Sequence, residues 1–232
     1  MFARPDSEDM NFESLVLAAA TADLAEEPAA REHADAVEFR MDLATDPLAA
    51  LDAYDGELPI LATNRTEAEG GGAAEGPERL AVLRRAAERP AVEAIDVELM
   101  AVSKNGSADV VAHAREHGAS VVVSAHDFSA TPPRSQLRET LFRACEHGDV
   151  GKLATTAASV DDVLAVLSTT RDLDTDGRRV ATMAMSTAGR HSRALAPLYG
   201  SRIAYAPVDP DRATAPGQYD LATLAGLIDA LR

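Results

Sequence analysis

Apolar and polar positions along the chain follow a two-part pattern that repeats from end to end. Short apolar runs of strand length stand at Leu15–Ala19, Ala36–Arg40, Pro59–Thr63, Ala94–Val97, Ser120–Ser124, Val150–Thr155, Arg179–Met183 and Arg202–Ala206. The segments between them carry apolar residues at helical spacing. Helices are predicted at Pro77–Glu88, Ala108–His117, Arg134–His147 and Val160–Ser168, and at Tyr219–Leu231 after the last strand. Val163, Val166 and Leu167 show the i, i+3, i+4 spacing, with Ser159 or Asp161 placed to cap that helix. Asp172–Gly177 and Asp209–Pro216 read as loops.

Strands alternating with helices imply a parallel sheet with helices packed outside it. Eight such units predict an α/β fold closed into a (β/α)8 TIM barrel, a single domain over residues 1–232. The competing arrangement is an open doubly wound sheet, but no G-x-G-x-x-G follows the first strand. Gly70-Gly71-Gly72 lacks a following lysine, so it reads as a flexible loop, with the Gly70–Gly76 region a candidate lid. Barrel chemistry sits at the C-terminal ends of strands. The polar residues that fall there are Glu38, Arg40, Arg65, Glu69, Asp96, Glu98, Ser124, His126, Lys152, Arg193 and Gln218.

Composition narrows the function. The 232 residues carry a net charge of −16, which disfavours nucleic acid and anionic membranes as partners. No apolar run reaches the roughly 18 residues of a membrane span, and the first residues hold no secretory h-region, so a cytoplasmic location is expected. The one cysteine, Cys145, forms no internal disulfide and reads as a buried structural thiol. Of the 22 lysines and arginines, only Lys104 and Lys152 are lysines. An acidic, lysine-poor chain suits a salt-rich cytoplasm, where screening softens the repulsion, or simply a GC-rich genome.

Lys152 is the sharpest feature. It interrupts the apolar run Val150-Gly151-Lys152-Leu153-Ala154. A charged amine buried in a strand is costly, so burial and nearby arginines are expected to favour the neutral form. A neutral amine attacks a ketone to give an imine. A strand-end lysine reaching out to solvent is the plainer alternative. Lys104, in Ser103-Lys104-Asn105-Gly106, reads as a solvated turn lysine. His126 ends the run Val121-Val122-Val123-Ser124-Ala125 and can take and return a proton near neutrality. His113 and His117 lie four apart on a helix without a third ligand in view, so no metal site is expected.

Glu69, four residues after Arg65, could orient a histidine, or the two could form an exposed loop ion pair. Glu38 and Arg40, two apart on a strand, share one face and are expected to pair there. Arg193 and Gln218 follow the last two strands, where many barrels bind an anion.

These fragments together resemble the type I 3-dehydroquinases. The resemblance runs through Glu38-Phe39-Arg40-Met41-Asp42, Arg65 to Glu69-Gly70-Gly71, Ser124-Ala125-His126-Asp127-Phe128 and Lys152-Leu153-Ala154. It continues through Met185-Ser186, Ser192-Arg193, Gly200-Ser201 and Ala215-Pro216-Gly217-Gln218. It implies a TIM barrel that dehydrates 3-dehydroquinate to 3-dehydroshikimate, in the shikimate pathway, with neither metal nor cofactor. It assigns the imine to Lys152, acid/base work to His126 and orientation of that histidine to Glu69. It places Arg193, Arg65 and Gln218 on the substrate carboxylate, and Glu38 and Arg40 on its ring hydroxyls. Thr214 stands where the family usually has serine, and Gly151 where a branched residue is usual, which would loosen packing behind the imine. A homodimer is also suggested. A class I aldolase and a catalytically inert binding barrel are the competing readings; neither requires His126 and Glu69 in this order.

Overall fold

A computed structural model describes residues 10–103, 108–209, 211 and 217–232. Eight parallel strands form one sheet: β1 (Val16–Thr21), β2 (Ala36–Arg40), β3 (Ile60–Thr63), β4 (Val92–Glu98), β5 (Ser120–Asp127), β6 (Val150–Thr156), β7 (Val180–Met185) and β8 (Ile203–Pro207). From β1 to β7 each strand pairs with the next in sequence, and β8 returns to pair with β1. The remaining seam, between β7 and β8, is closed by a parallel bridge between Val180 and Ser201. There the Arg202 amide donates to the Val180 carbonyl at 2.7 Å, and Ser201 Oγ accepts from the Thr182 amide at 3.1 Å. The sheet is therefore the expected α/β barrel.

The strands run one to three residues beyond several expected ends. β5, for instance, continues through Asp127, because pairing with β6 persists as far as Asp127 and Thr155. Helices at Pro77–Ala87, Ala108–Glu116, Arg134–His147 and Leu221–Leu231 lie where periodicity places them. The helix expected to end at Ser168 runs from Val160 to Thr175, so most of the expected Asp172–Gly177 loop is helical. Its start is a capping box: Ser159 Oγ accepts from the Asp162 amide, and the Asp162 carboxylate accepts from the Ser159 amide at 2.9 Å. Asp162, rather than Asp161, completes that cap. No helix among the described residues is long and apolar enough to cross a membrane.

The strand period of two sorts the barrel interior into layers. The inward residues nearest the N-terminal end include Ala18, Ala36, Leu61, Ala94, Val122, Val150, Ala181 and Ile203, which pack as one apolar cluster. Met10 and Phe12, from the segment before β1, belong to the same cluster and floor the barrel. Two residues further along each strand, the inward positions become Glu38, Thr63, Asp96, Ser124, Lys152, Met183 and Tyr205, all buried. The site thus stands on an apolar floor, and the residues that form it are set by register.

Helix packing also explains Gly151. A Cβ at that position would lie 2.6 Å from Cys145 Sγ and 2.9 Å from the Leu141 carbonyl oxygen. The helix Arg134–His147 presses directly on β6, so the small residue reflects tight packing behind Lys152. Cys145 is half-buried rather than enclosed, with its thiol 3.4 Å from the Arg179 carbonyl oxygen.

Candidate active site

The layer above the apolar floor is a closed electrostatic network. Lys152 Nζ donates to Asp96 Oδ2 at 2.8 Å and lies 3.7 Å from Glu38 Oε1. The same amine sits 4.1 Å from the centroid of the Tyr205 ring. Asp96 Oδ1 accepts from Arg65 Nη2 at 2.8 Å and from Ser124 Oγ at 2.6 Å. Ser124 Oγ in turn accepts from Arg65 Nη1 at 2.6 Å. Glu98 lies 3.2 Å from Arg65 and 2.8 Å from Arg79 and accepts from the Thr66 amide. Register brings these groups side by side: Thr63 stands beside Asp96, Glu98 beside Ser124, and Ser124 beside Lys152.

Burial by itself would raise the Asp96 carboxyl, but the Arg65 guanidinium and the Lys152 ammonium outweigh it and hold this group far below the usual carboxylate range. Where burial and nearby arginines were expected to favour a neutral amine, Lys152 instead stands in a buried ion pair with Asp96. Lys152 is 4% exposed, which rules out the solvent-reaching alternative.

One layer higher, His126 Nδ1 lies 2.9 Å from Glu69 Oε2, with the two side chains 10% and 13% exposed. Burial pushes the imidazole well below its ordinary value, and the positive charges of Arg65 and Lys152 act in the same direction. Burial likewise pushes Glu69 up to about 7, against the pull of Arg65. The histidine is thus held neutral, with a carboxylate on one ring nitrogen and the other nitrogen left as a base.

Glu69 is placed by a tight turn. Gly70 adopts φ +80°, and a Cβ there would strike the Phe128 ring. A bridge between Thr66 and Ala73 ties the turn's two ends. The glycines serve this close packing, in contrast to the flexible loop expected of them. Phe128 stacks at 6.2 Å on the His126 ring.

Arg40 and Glu38 both line the cavity, as their shared strand face requires. The expected pair between them is replaced by others. Arg40 forks onto Asp42 at 2.9 and 2.6 Å, while Glu38 accepts from Thr63 Oγ1 at 3.1 Å and faces Lys152. Arg193 sits on a short helix, Ser192–Leu195, at the end of β7. Ser192 Oγ accepts from the Ala184 amide at 2.9 Å and fixes that helix to the strand. Burial brings the Arg193 guanidinium down to about 10. Gln218 reaches the same cavity. Thr214 and Lys104 lie outside the described residues.

The cavity is about 480 Å³, counting its open mouth. Glu38, Arg40, Arg65, Glu69, His126, Lys152, Arg193 and Gln218 all line it. A primary amine, a neutral histidine with a carboxylate partner and three arginines thus meet around one space. The model of the type I 3-dehydroquinase family matches residues 12–232. The chain belongs to the type I 3-dehydroquinase family. Membership makes it an enzyme, a dehydratase of the shikimate pathway. A 3-dehydroquinate dehydratase of Haloarcula marismortui is 60% identical over 226 residues, covering 96% of this chain and 99% of that one. The crystal structure of 3-dehydroquinate dehydratase from Geobacillus kaustophilus superposes with a TM-score of 0.84 at 26% identity, covering 94% and 91% of the two chains. The type I 3-dehydroquinate dehydratase of Clostridium difficile, solved with covalently modified comenic acid, gives 0.82 at 25% identity, covering 94% and 92%.

Asp96, Glu98 and Ser124 fall at the mouth by sequence position alone, with no task assigned to them there. Their spacing of two along β4 and β5, level with Lys152, was the available signal. Met183, Met185, Phe128 and Tyr205 also line the cavity, and the sequence reading gives their side chains no role.

Proposed function

We propose that this type I 3-dehydroquinase converts 3-dehydroquinate to 3-dehydroshikimate by syn elimination through an imine on Lys152, with every catalytic group supplied by its own side chains. The observation that carries this reading is the buried Lys152 amine, lodged in the same cavity as the His126–Glu69 pair. The covalently modified ligand in the Clostridium difficile structure fits a covalent route.

In this mechanism the Lys152 ammonium first gives up a proton, which neutral His126 can accept. The amine lone pair attacks C3 of the substrate, and the carbinolamine hydroxyl leaves as water with the proton that His126 holds, which gives the iminium and returns the histidine to its neutral form. The iminium acts as an electron sink and acidifies the adjacent C2 proton. His126 removes that proton to give an enamine. The enamine expels the C1 hydroxyl, which leaves as water with the proton from His126. Hydrolysis then frees Lys152 and the product. A single base working on both leaving groups matches a syn course. Glu69 holds the imidazole in the productive tautomer and stabilises its protonated form. Arg193, with Gln218, binds the substrate carboxylate, since a guanidinium forks onto a carboxylate. Glu38 and Arg40 hold the ring hydroxyls. Arg65 serves the carboxylate set chiefly through the network that fixes Asp96 and Ser124.

Turnover of 3-dehydroquinate by the purified chain, followed by the absorbance of the conjugated enone product, tests the reading. The wild type is expected to turn over. Lys152→Met is expected to lose more than the roughly 10²–10⁴-fold typical of a lost general acid/base, because the covalent route disappears. Comparable turnover by Lys152→Met would refute the proposal.

A further inference from the structure

Tyr205 occupies the inward position of β8 in the same layer as Lys152, and its ring lines the cavity. The Lys152 amine stands 4.1 Å from the ring centroid. The residue is 4% exposed, and its hydroxyl oxygen is buried with no hydrogen-bond partner among the described residues. A buried hydroxyl without a partner costs free energy in the empty site, whereas phenylalanine would fill the same space without that cost. Such a group is expected where a ligand completes the missing bond.

We propose that the Tyr205 hydroxyl is a further catalytic residue, donating a hydrogen bond to the substrate's C3 oxygen while Lys152 attacks. The proposal rests on the imine reading above. The geometry supports it as follows. The hydroxyl lies one ring radius and one C–O bond from the centroid over which the attacking nitrogen sits. It is therefore within reach of an oxygen attached to the carbon that nitrogen bonds. In the step itself, the lone pair of the deprotonated amine forms the N–C bond. The carbonyl π pair moves onto oxygen, and the proton that nitrogen then releases ends on that oxygen, giving the carbinolamine. The tyrosine donates throughout and is itself unchanged. Charge builds on that oxygen in the transition state, where a fixed donor is most effective.

The test compares Tyr205→Phe with the wild type in two measurements: the rate of imine formation, by rapid quench of 3-dehydroquinate mixtures into borohydride, and the thermal midpoint. The expected result is that Tyr205→Phe forms the trapped adduct about 10- to 100-fold more slowly, the range of one strong hydrogen bond, while its melting temperature equals or exceeds the wild type's. An unchanged rate of trapping would overturn the proposal, as would a slower rate accompanied by a lower melting temperature, which marks a structural role. If the wild type itself forms no adduct, the imine reading fails along with it. If it does, a negative result falls on Tyr205 alone.

Discussion

Lys152 and Asp96 form a 2.8 Å buried ion pair, with Asp96 bound on its other oxygen by Arg65 and Ser124. The amine that is to become a nucleophile is thereby held at a fixed point two strands away from the carboxylate that anchors it. Removing one member of a buried pair strands the other charge, which costs about 3–5 kcal/mol. Asp96→Asn leaves both Arg65 and Lys152 short of a counter-charge. Urea denaturation of Asp96→Asn is expected to show a loss of stability in that range; a loss under about 1 kcal/mol, the scale of an exposed pair, would show that the pair is not the anchor.

His126 stands within the cavity but is not the atom that bonds to substrate. His126→Ala is expected still to reach the imine, with water taking the lysine's proton in its place, while turnover falls about 10²–10⁴-fold. Adduct yield and turnover measured on the same preparation separate the two steps. Near-normal turnover would remove the acid/base role.

The His126–Glu69 pair sets the pH dependence. Glu69, pushed up to about 7, loses its charge as pH falls through that value, while His126, pushed down, stays neutral. The active form has an ionised Glu69 and a neutral His126, so activity is expected to fall on the acid side of about pH 7. Glu69→Gln removes the ionisation, so the acid limb of its kcat/KM profile is expected to move to lower pH beneath a lower plateau. A limb that stays in place in Glu69→Gln would assign it to another group.

Packing against β6 is tight at Gly151. Gly151→Ala places a Cβ 2.6 Å from Cys145 Sγ and 2.9 Å from the Leu141 carbonyl oxygen. Overpacking of this kind costs about 1–3 kcal/mol. A drop in the melting temperature is expected, and an unchanged value would mean that the helix behind β6 yields freely.

Much of this was legible in the chain. The eight strand–helix units are strongly periodic, and Lys152 stands out as a lysine inside an apolar run. His126 and Glu69 were visible as types at strand ends, yet their 2.9 Å approach depends on a turn held by Gly70 and Phe128, which sequence spacing does not encode. Partner choice was the weakest part. Glu38 and Arg40 were expected to pair because they share a face, but Asp42, one residue beyond the strand, takes the Arg40 fork. Tyr205 sits in Ile203-Ala204-Tyr205-Ala206-Pro207 and is indistinguishable in sequence from a core aromatic; only the register of β8 turns it toward Lys152.

The central claim, a covalent bond between Lys152 and the substrate, is tested most directly by borohydride reduction in the presence of 3-dehydroquinate followed by peptide mass spectrometry. The chain has two lysines, so the assignment is unambiguous. The expected result is a substrate-derived mass increment on the peptide containing Lys152 and none on that containing Lys104. An increment confined to Lys104, or no increment under conditions of active turnover, would contradict the account.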